Sequence, residues 1–303
     1  MPSREQQILA KTPFVVVVGG ANIDIHGKSD AALSAQDSNP GSVRMSAGGV
    51  GRNIAENLAR LGVDTRLISA IGNDHHGELL MELSREAGID TQHVLQLVSA
   101  PTSTYLSVVD ESGDMQVAIN DMRIIDELTA ARLRPHKTML GQAALLVFDT
   151  NLPDDALAWL TSTFADRPIF VDTVSVAKAP RIKPYLGGIH TLKTSASEAA
   201  AVTGLEAGAD AQLAKVAEWL HEEGVERVFI TRGAQGVFYS ADGEQGTLEA
   251  GRRIAVNAGG AGDAFVAALA YTWLQGWSLA DTLPFALAAA ELTIADAGTS
   301  SSA

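Results

Sequence analysis

The chain has 303 residues, enough to bury a large core in one or two domains, and its 46% hydrophobic and 19% charged residues are those of a globular protein. A net charge of −14 without a basic cluster argues against a nucleic-acid partner, and the absence of cysteine excludes disulfides, Cys-ligated zinc and thiol catalysis. The opening MPSREQQILAKTP has no apolar signal core, and Phe14–Val18 is too short to span a bilayer, so a soluble, cytoplasmic protein with no membrane partner is expected.

Phe14–Val18 predicts a strand buried on both faces, ending in Gly19-Gly20. Asn22 and Asp24 follow at the end where open α/β sheets bind ligands. A polar stretch then holds the turn Asp37-Ser38-Asn39-Pro40-Gly41, and Ser46–Asn53, with Gly48-Gly49, opens a helix with Ile54, Leu58 and Leu61 on one face. Leu67–Ile71 reads as a strand and Gly77–Ala87 as a helix. Thr102–Val109 and Met115–Asn120 alternate around a turn at Asp110–Asp114, a β-hairpin set into an otherwise βα chain. Strands are expected at Ala144–Asp149, Ile169–Asp172, His190–Leu192 and Arg227–Thr231, with helices between, then a hairpin near Gly236–Leu248 and two apolar helices. The fold class is therefore α/β: a mostly parallel central sheet with helices on both faces, plus a small β-sheet lid. One domain, 1–303, is expected, with lid segments at about 25–46 and 100–123.

The chemistry concentrates in Val256–Leu269, VNAGGAGDAFVAAL. Small residues there run into an apolar helix whose free N–H groups suit an anion, and Asp263 puts a carboxylate in its first turn. A base beside an oxyanion cradle is what moving a phosphoryl group onto a hydroxyl requires, although an ordinary first-turn acid reads the same way. Other glycine motifs fail on spacing. Gly27-Lys28-Ser29 has Asn22 where the first Gly of a P-loop must stand, and Gly49-Val50-Gly51 has Ile54 where a dinucleotide fingerprint needs its third Gly. Neither HExxH nor G-x-S-x-G occurs. Asn22, Asp24 and Asn53 suit the vicinal hydroxyls of a sugar, and Asp149, at another strand end, is a candidate to join them or a turn acid. Thr231–Gly236 is a second glycine turn, fit for a nucleotide.

These pieces resemble the PfkB-type sugar and nucleoside kinases, the ribokinase superfamily, whose signature is Gly-Ala-Gly-Asp, here Gly260–Asp263. The segments Gly20–Asp24, Asp37–Gly41, Gly48–Ala55, Thr102–Leu106, Ala118–Met122 and Ile189–Lys193 are similar to the pseudouridine kinase branch. The resemblance runs from about Val15 to Ala268. It implies ATP and Mg²⁺ as cofactors, a nucleoside as substrate and a homodimer formed through the lid. Asp263 is the implied base for the 5′-hydroxyl, with the N–H groups around Gly260, Ala261 and Gly262 as the anion hole. Asn22, Asp24, Gly48, Gly49 and Asn53 fall where the family holds ribose, and Thr231, Gly233 and Gly236 where it holds the nucleotide. Glu198 matches the acid of the family's Asn-x-x-Glu motif, which acts on Mg²⁺. The lid residues Ser103, Thr104 and Asn120 are the candidates for reading the base.

Three positions depart from the pattern. Ser195 stands where Asn-x-x-Glu has its Asn, Gly259 replaces the usual Thr, and Asn257 replaces the Asp of potassium-activated relatives, which weighs against a monovalent cation. The expected activity is phosphorylation of pseudouridine at its 5′-hydroxyl. Its rivals are a broader nucleoside kinase or ribokinase and, in another class, a non-catalytic nucleoside sensor.

Overall fold

The computed structural model describes residues 13–251 and 259–295. In chain order the elements are β1 (Phe14–Val18), β2 (Asn22–Ser29), β3 (Gly41–Gly48), α1 (Val50–Arg60), β4 (Asp64–Ile68), β5 (Ala70–Gly72), α2 (His75–Glu86) and β6 (Leu95–Leu97). The hairpin β7 (Thr104–Val109) and β8 (Met115–Asp121) follows, then short helical turns, β9 (Leu145–Asp149), α3 (Asp154–Thr163) and β10 (Ile169–Asp172). The remainder is β11 (Thr191–Ser195), α4 (Ala196–Thr203), α5 (Asp210–Glu222), β12 (Arg227–Thr231), β13 (Val237–Ala241), β14 (Glu244–Leu248), α6 (Ala261–Leu274) and α7 (Leu279–Ala295).

A phenylalanine followed by four valines makes β1 the spine of the core. Val15 and Val17 enter one hydrophobic cluster, with Ile54 and Leu58 of α1 and Phe265–Ala270 of α6. Phe14, Val16 and Val18 enter the opposite one, with Leu157 and Leu160 of α3 and Leu213 and Leu220 of α5. Burying a side chain of this size contributes roughly 1.5–3 kcal/mol. With both faces packed, β1 has no polar side and reads as a continuous apolar run.

The central sheet has eight strands in the order β14-β13-β12-β11-β10-β9-β1-β4. The six strands from β12 to β4 pair in parallel, while β13 and β14 add an antiparallel edge. Two expected strands differ in extent by more than a residue or two at an end. Leu67–Ile71 is broken at Ser69, whose hydroxyl donates to the Gly19 carbonyl at 2.7 Å, and the chain beyond it pairs as β5 with β6 in a separate sheet. The strand expected at His190–Leu192 runs on to Ser195, because Lys193 and Thr194 are buried at its end by partners on neighbouring strands.

The hairpin forms a sheet of its own with β2 and β3, in the order β3-β2-β7-β8, while the turn Asp37–Pro40 lies in the connection between β2 and β3 and joins no strand. Register gives this sheet two unlike faces. One row crosses it as Ser46, Asp24, Tyr105 and Asn120, on the face that carries Asn22. The adjacent row crosses as Met45, Ile25, Leu106 and Ile119 on the other face. At its inner end that apolar face packs Ile23 and Ala47 against Ile71 and Leu80. Among the described residues no helix is long and apolar enough to cross a membrane.

Candidate active site

Strand order reverses at β1, with β4 on one side and β9 to β12 on the other, so the loops leaving β1 and β9 diverge at the carboxyl ends of the strands. Open α/β sheets bind ligands in such a crevice. Asp149, the last residue of β9, sits at its base with no exposed surface. Its Oδ2 accepts the N–H groups of Gly20 at 2.8 Å and Gly51 at 2.9 Å, and its Oδ1 accepts that of Asn151 at 2.9 Å. Burial pushes its carboxyl above the usual range. By sequence Asp149 is a candidate sugar ligand or a turn acid, and these hydrogen bonds give it a structural role. Three backbone donors engage its oxygens, and it staples the Gly19-Gly20 turn to the start of α1. Gly51 is required there because a Cβ would stand 2.8 Å from the Gly19 backbone.

The cradle opposite is the N-terminus of α6. Gly260 caps it with φ 81°, a left-handed conformation that glycine adopts without strain, so that Ala261, Gly262 and Asp263 present the unpaired N–H groups of the first turn. Asp263 is buried, and Asn53 of α1 donates to its Oδ2 at 2.9 Å. Asn53, expected among the sugar ligands, thus orients the candidate base. Burial pushes the Asp263 carboxyl up to about 7; nearby Asp172 and Asp149 add to the rise, and Asn53 and Lys193 oppose it.

Two residues assigned no role from sequence complete this group. Lys193 of β11 stands in register with Asp172 of β10 and pairs with its Oδ2 at 2.9 Å. The ammonium lies directly against Gly262, where a side-chain methyl would collide with it.

The sugar-side candidates meet at the root of the small sheet. Asn22 and Gly48 are paired in register, and Asn22 donates to Asp24 Oδ1 at 2.6 Å. A Cβ on Gly48 would run into the Asp24 carboxylate. Gly49 leads into α1 with φ 97°, against the backbone of Gly20 and Ala21. Burial raises the Asp24 pKa, while Asn22, His26 and Arg52 favour its charge. Arg52 itself is buried and ion-paired with Glu56. Asn120 shares a face and a register row with Asp24 but lies two strands away, about 10 Å at normal strand spacing, and is exposed. Ser103 is buried beside Asn22 on that face, and its hydroxyl has no hydrogen-bond partner among the described residues.

On the other flank, Ser195 and Thr231 end neighbouring strands in register. Gly233 (φ 58°) and Gly236 (φ 87°) shape the turn beyond Thr231, where a Cβ on Gly236 would overlap the Leu248 carbonyl. Ser195 caps α4. Its hydroxyl accepts the Glu198 N–H at 3.3 Å, and Glu198 Oε2 accepts the Ser195 N–H at 2.9 Å, a reciprocal capping box. The Thr173 hydroxyl also donates to Glu198 Oε2, at 2.6 Å. Among the described residues no three acidic or histidine side chains gather as a metal site. Asn257 lies outside the described residues.

A buried carboxylate and a helix N-terminus thus stand together at the crevice, with a polar corner at Asn22, Asp24 and Gly48 at the root of the small sheet. The pfkB family carbohydrate kinase model matches residues 12–303. The chain belongs to this family. It is 40% identical over 274 residues to the pseudouridine kinase of Escherichia coli K12, covering 90% of this chain and 88% of that one. It is 39% identical over 287 residues to the uncharacterized sugar kinase YeiI of the same organism, covering 94% of this chain and 79% of the other. Among solved structures, a putative sugar kinase from Clostridium perfringens superposes with a TM-score of 0.85 at 32% identity, over 96% of this chain and 92% of that one. Family membership makes the protein a phosphotransferase with an alcohol acceptor.

Proposed function

We propose that the protein is an ATP-dependent kinase that phosphorylates the 5′-hydroxyl of pseudouridine. The observation that carries the kinase chemistry is Asp263, buried, oriented by Asn53 and seated in the first turn of α6. Similarity to a pseudouridine kinase and the polar corner at Asn22, Asp24 and Gly48 support the nucleoside. In this reading Asn22 and Asp24 hold the ribose hydroxyls, and Asp263 takes the proton of the 5′-hydroxyl as the oxygen turns on phosphorus. The N–H groups of Ala261, Gly262 and Asp263 receive the charge that develops on the phosphoryl oxygens. Thr231, Gly233, Gly236 and the α4 cap at Ser195 border the nucleotide.

ATP fits this surface, since a helix N-terminus with a lysine beneath it suits a triphosphate. Mg²⁺ fits as the nucleotide's companion more than as a resident ion, because Glu198 has one oxygen engaged by two donors and no cluster of acids joins it among the described residues. When bound, the ion neutralises triphosphate charge; Glu198 would reach it through water.

The comparable identity to a sugar kinase favours a second reading, a sugar acceptor. Turnover of ATP with pseudouridine, uridine, inosine and free ribose separates the two. Phosphate transfer to a nucleoside in preference to ribose is expected. Transfer to ribose alone would establish the second reading, and no transfer to any of them would leave a sensor.

We further propose that the small sheet is a lid whose apolar face pairs with that of a second copy. The row Met45–Ile25–Leu106–Ile119 and the neighbours Val43, Val108 and Val117 form one stripe, with Val43 70% and Ile119 61% exposed. Such a face on a sheet edge invites a partner. Light scattering should find a dimer that Ile119→Asp dissociates; a monomeric parent protein would overturn this.

A further inference from the structure

The amino ends of the strands, opposite the crevice, carry a second hollow. It encloses about 260 Å³ between the starts of β10, β11 and β12 and the last turn of α6. Drug-sized molecules fill pockets of about 300–1,000 Å³, so this one suits a single substituted ring. Gly187, Gly188 and Gly224 line it, so much of its surface is bare backbone. Gly224 has φ 103°, and a Cβ there would stand 2.8 Å from the Gly187 Cα, so glycine alone lets the two turns meet.

The side chains around the hollow suit a flat, polar guest. Trp273 of α6 supplies a half-buried indole. His190, just ahead of β11, stacks on Phe170 at 5.5 Å with 12° between the planes and meets Trp273 edge to face at 5.7 Å. These rings fix the imidazole, whose Nδ1 lies 2.8 Å from the Thr191 hydroxyl. Its Nε2 stands 3.8 Å from Glu226 Oε2, beyond the roughly 2.7–3.2 Å of a hydrogen bond. An ion pair does not account for this spacing. Burial lowers the His190 pKa, Arg227 adds to the fall, and Glu226 and Asp242 oppose it without reversing it. The imidazole is therefore neutral at neutral pH.

With the Thr191 hydroxyl donating to Nδ1, Nε2 carries the ring hydrogen. A donor on His190 and an acceptor on Glu226 then stand side by side, too far apart to bond each other. The –CO–NH– edge of a planar ring bridges such a pair, its carbonyl accepting from Nε2–H and its N–H donating to the carboxylate. The rim also discriminates by charge. Arg167 pairs with Asp166 at 3.8 Å and Arg227 with Asp242 at 3.1 Å, so Glu226 leaves the rim net negative. We propose that this hollow is a binding site for an uncharged lactam heterocycle of nucleobase size, laid against Trp273 and held by His190 and Glu226. The site stands apart from the catalytic crevice and does not depend on the kinase reading.

The test titrates the full-length protein with uracil, which offers that edge, and follows both tryptophan fluorescence and the heat of binding. The parent should bind uracil saturably, with a change in fluorescence. 1,3-Dimethyluracil keeps the ring and loses both N–H groups, and it should bind at least ~5-fold more weakly. Orotate, the same ring bearing a carboxylate, should also bind at least ~5-fold more weakly, repelled by Glu226. Glu226→Ala alters an exposed side chain and should fold as the parent does. It should weaken uracil at least ~5-fold and leave 1,3-dimethyluracil within about twofold. Trp273→Phe should abolish the fluorescence change while the heat remains. A parent that binds no uracil overturns the assignment. So does uracil affinity unchanged in Glu226→Ala, or a fluorescence change that survives Trp273→Phe, since either places the ligand elsewhere.

Discussion

Asp263→Asn should lower kcat by about 10²–10⁴-fold, the range general-base assistance supplies, with nucleoside and ATP affinities close to the parent values. The amide is isosteric and can still meet Asn53 by an amide flip, so the loss isolates proton acceptance from packing. The parent's own pH profile checks the same residue. A base works deprotonated, so kcat should rise with pH and reach half its plateau near the Asp263 pKa of about 7. The rise follows first from burial and then from Asp172 and Asp149, against the pull of Asn53 and Lys193. The stability consequence has the opposite sense. The native state keeps this proton up to about 7 and the unfolded chain releases it near 3.8, so this group's contribution to stability falls as pH rises between those values. Asp263→Asn should flatten that part of the stability profile. Near-parental kcat in the variant would remove Asp263 from the base's role.

Asp149→Ala should destabilise the fold by at least about 3 kcal/mol in urea unfolding. It leaves the N–H groups of Gly20, Gly51 and Asn151 without an acceptor, at roughly 1–3 kcal/mol for each buried unsatisfied group. Asp149→Asn should be milder, since its amide oxygen can still accept part of that set. A change below about 1 kcal/mol in Asp149→Ala would mean that water enters and the staple is dispensable. The contrast between Asp149 and Asp263 shows how similar strand-end and helix-start acids come to do different work. Asp149 is held by three backbone donors, while Asp263 receives a side-chain bond from Asn53 and stands in the anion cradle.

Local pattern made much of the fold legible. The valine run of β1, the alternating hairpin of β7 and β8 and the apolar length of α6 each carry their periodicity in the residues themselves. The glycine cradle with its adjoining carboxylate was equally plain, because both lie within a few consecutive residues. What stayed hidden depends on register between distant strands. Lys193 on a strand reads as a solvated end until β10 is placed beside β11, and Asp149 reads as either ligand or turn acid until the Gly20 and Gly51 amides are brought to it. Ser195–Glu198 was legible but ambiguous, since Ser-x-x-Glu is both a capping box and a degenerate Asn-x-x-Glu, and the structure shows the cap. The break at Ser69 had no signal in periodicity, because a hydroxyl bonded to the Gly19 carbonyl ends β4 within an apolar run.

Initial rates with pseudouridine and uridine under identical ATP and Mg²⁺ decide which acceptor the enzyme selects. Pseudouridine carries N1–H on its ring edge where uridine has the glycosidic bond. A site built around a substrate N–H rejects the analogue lacking it by up to ~10⁴–10⁵-fold, and the exposure of Asn120 implies a wetter, weaker discrimination. For a pseudouridine kinase, kcat/KM for pseudouridine should stand at least ~10-fold above that for uridine, about 1.4 kcal/mol of differential transition-state binding. Equal values for the two nucleosides would contradict it.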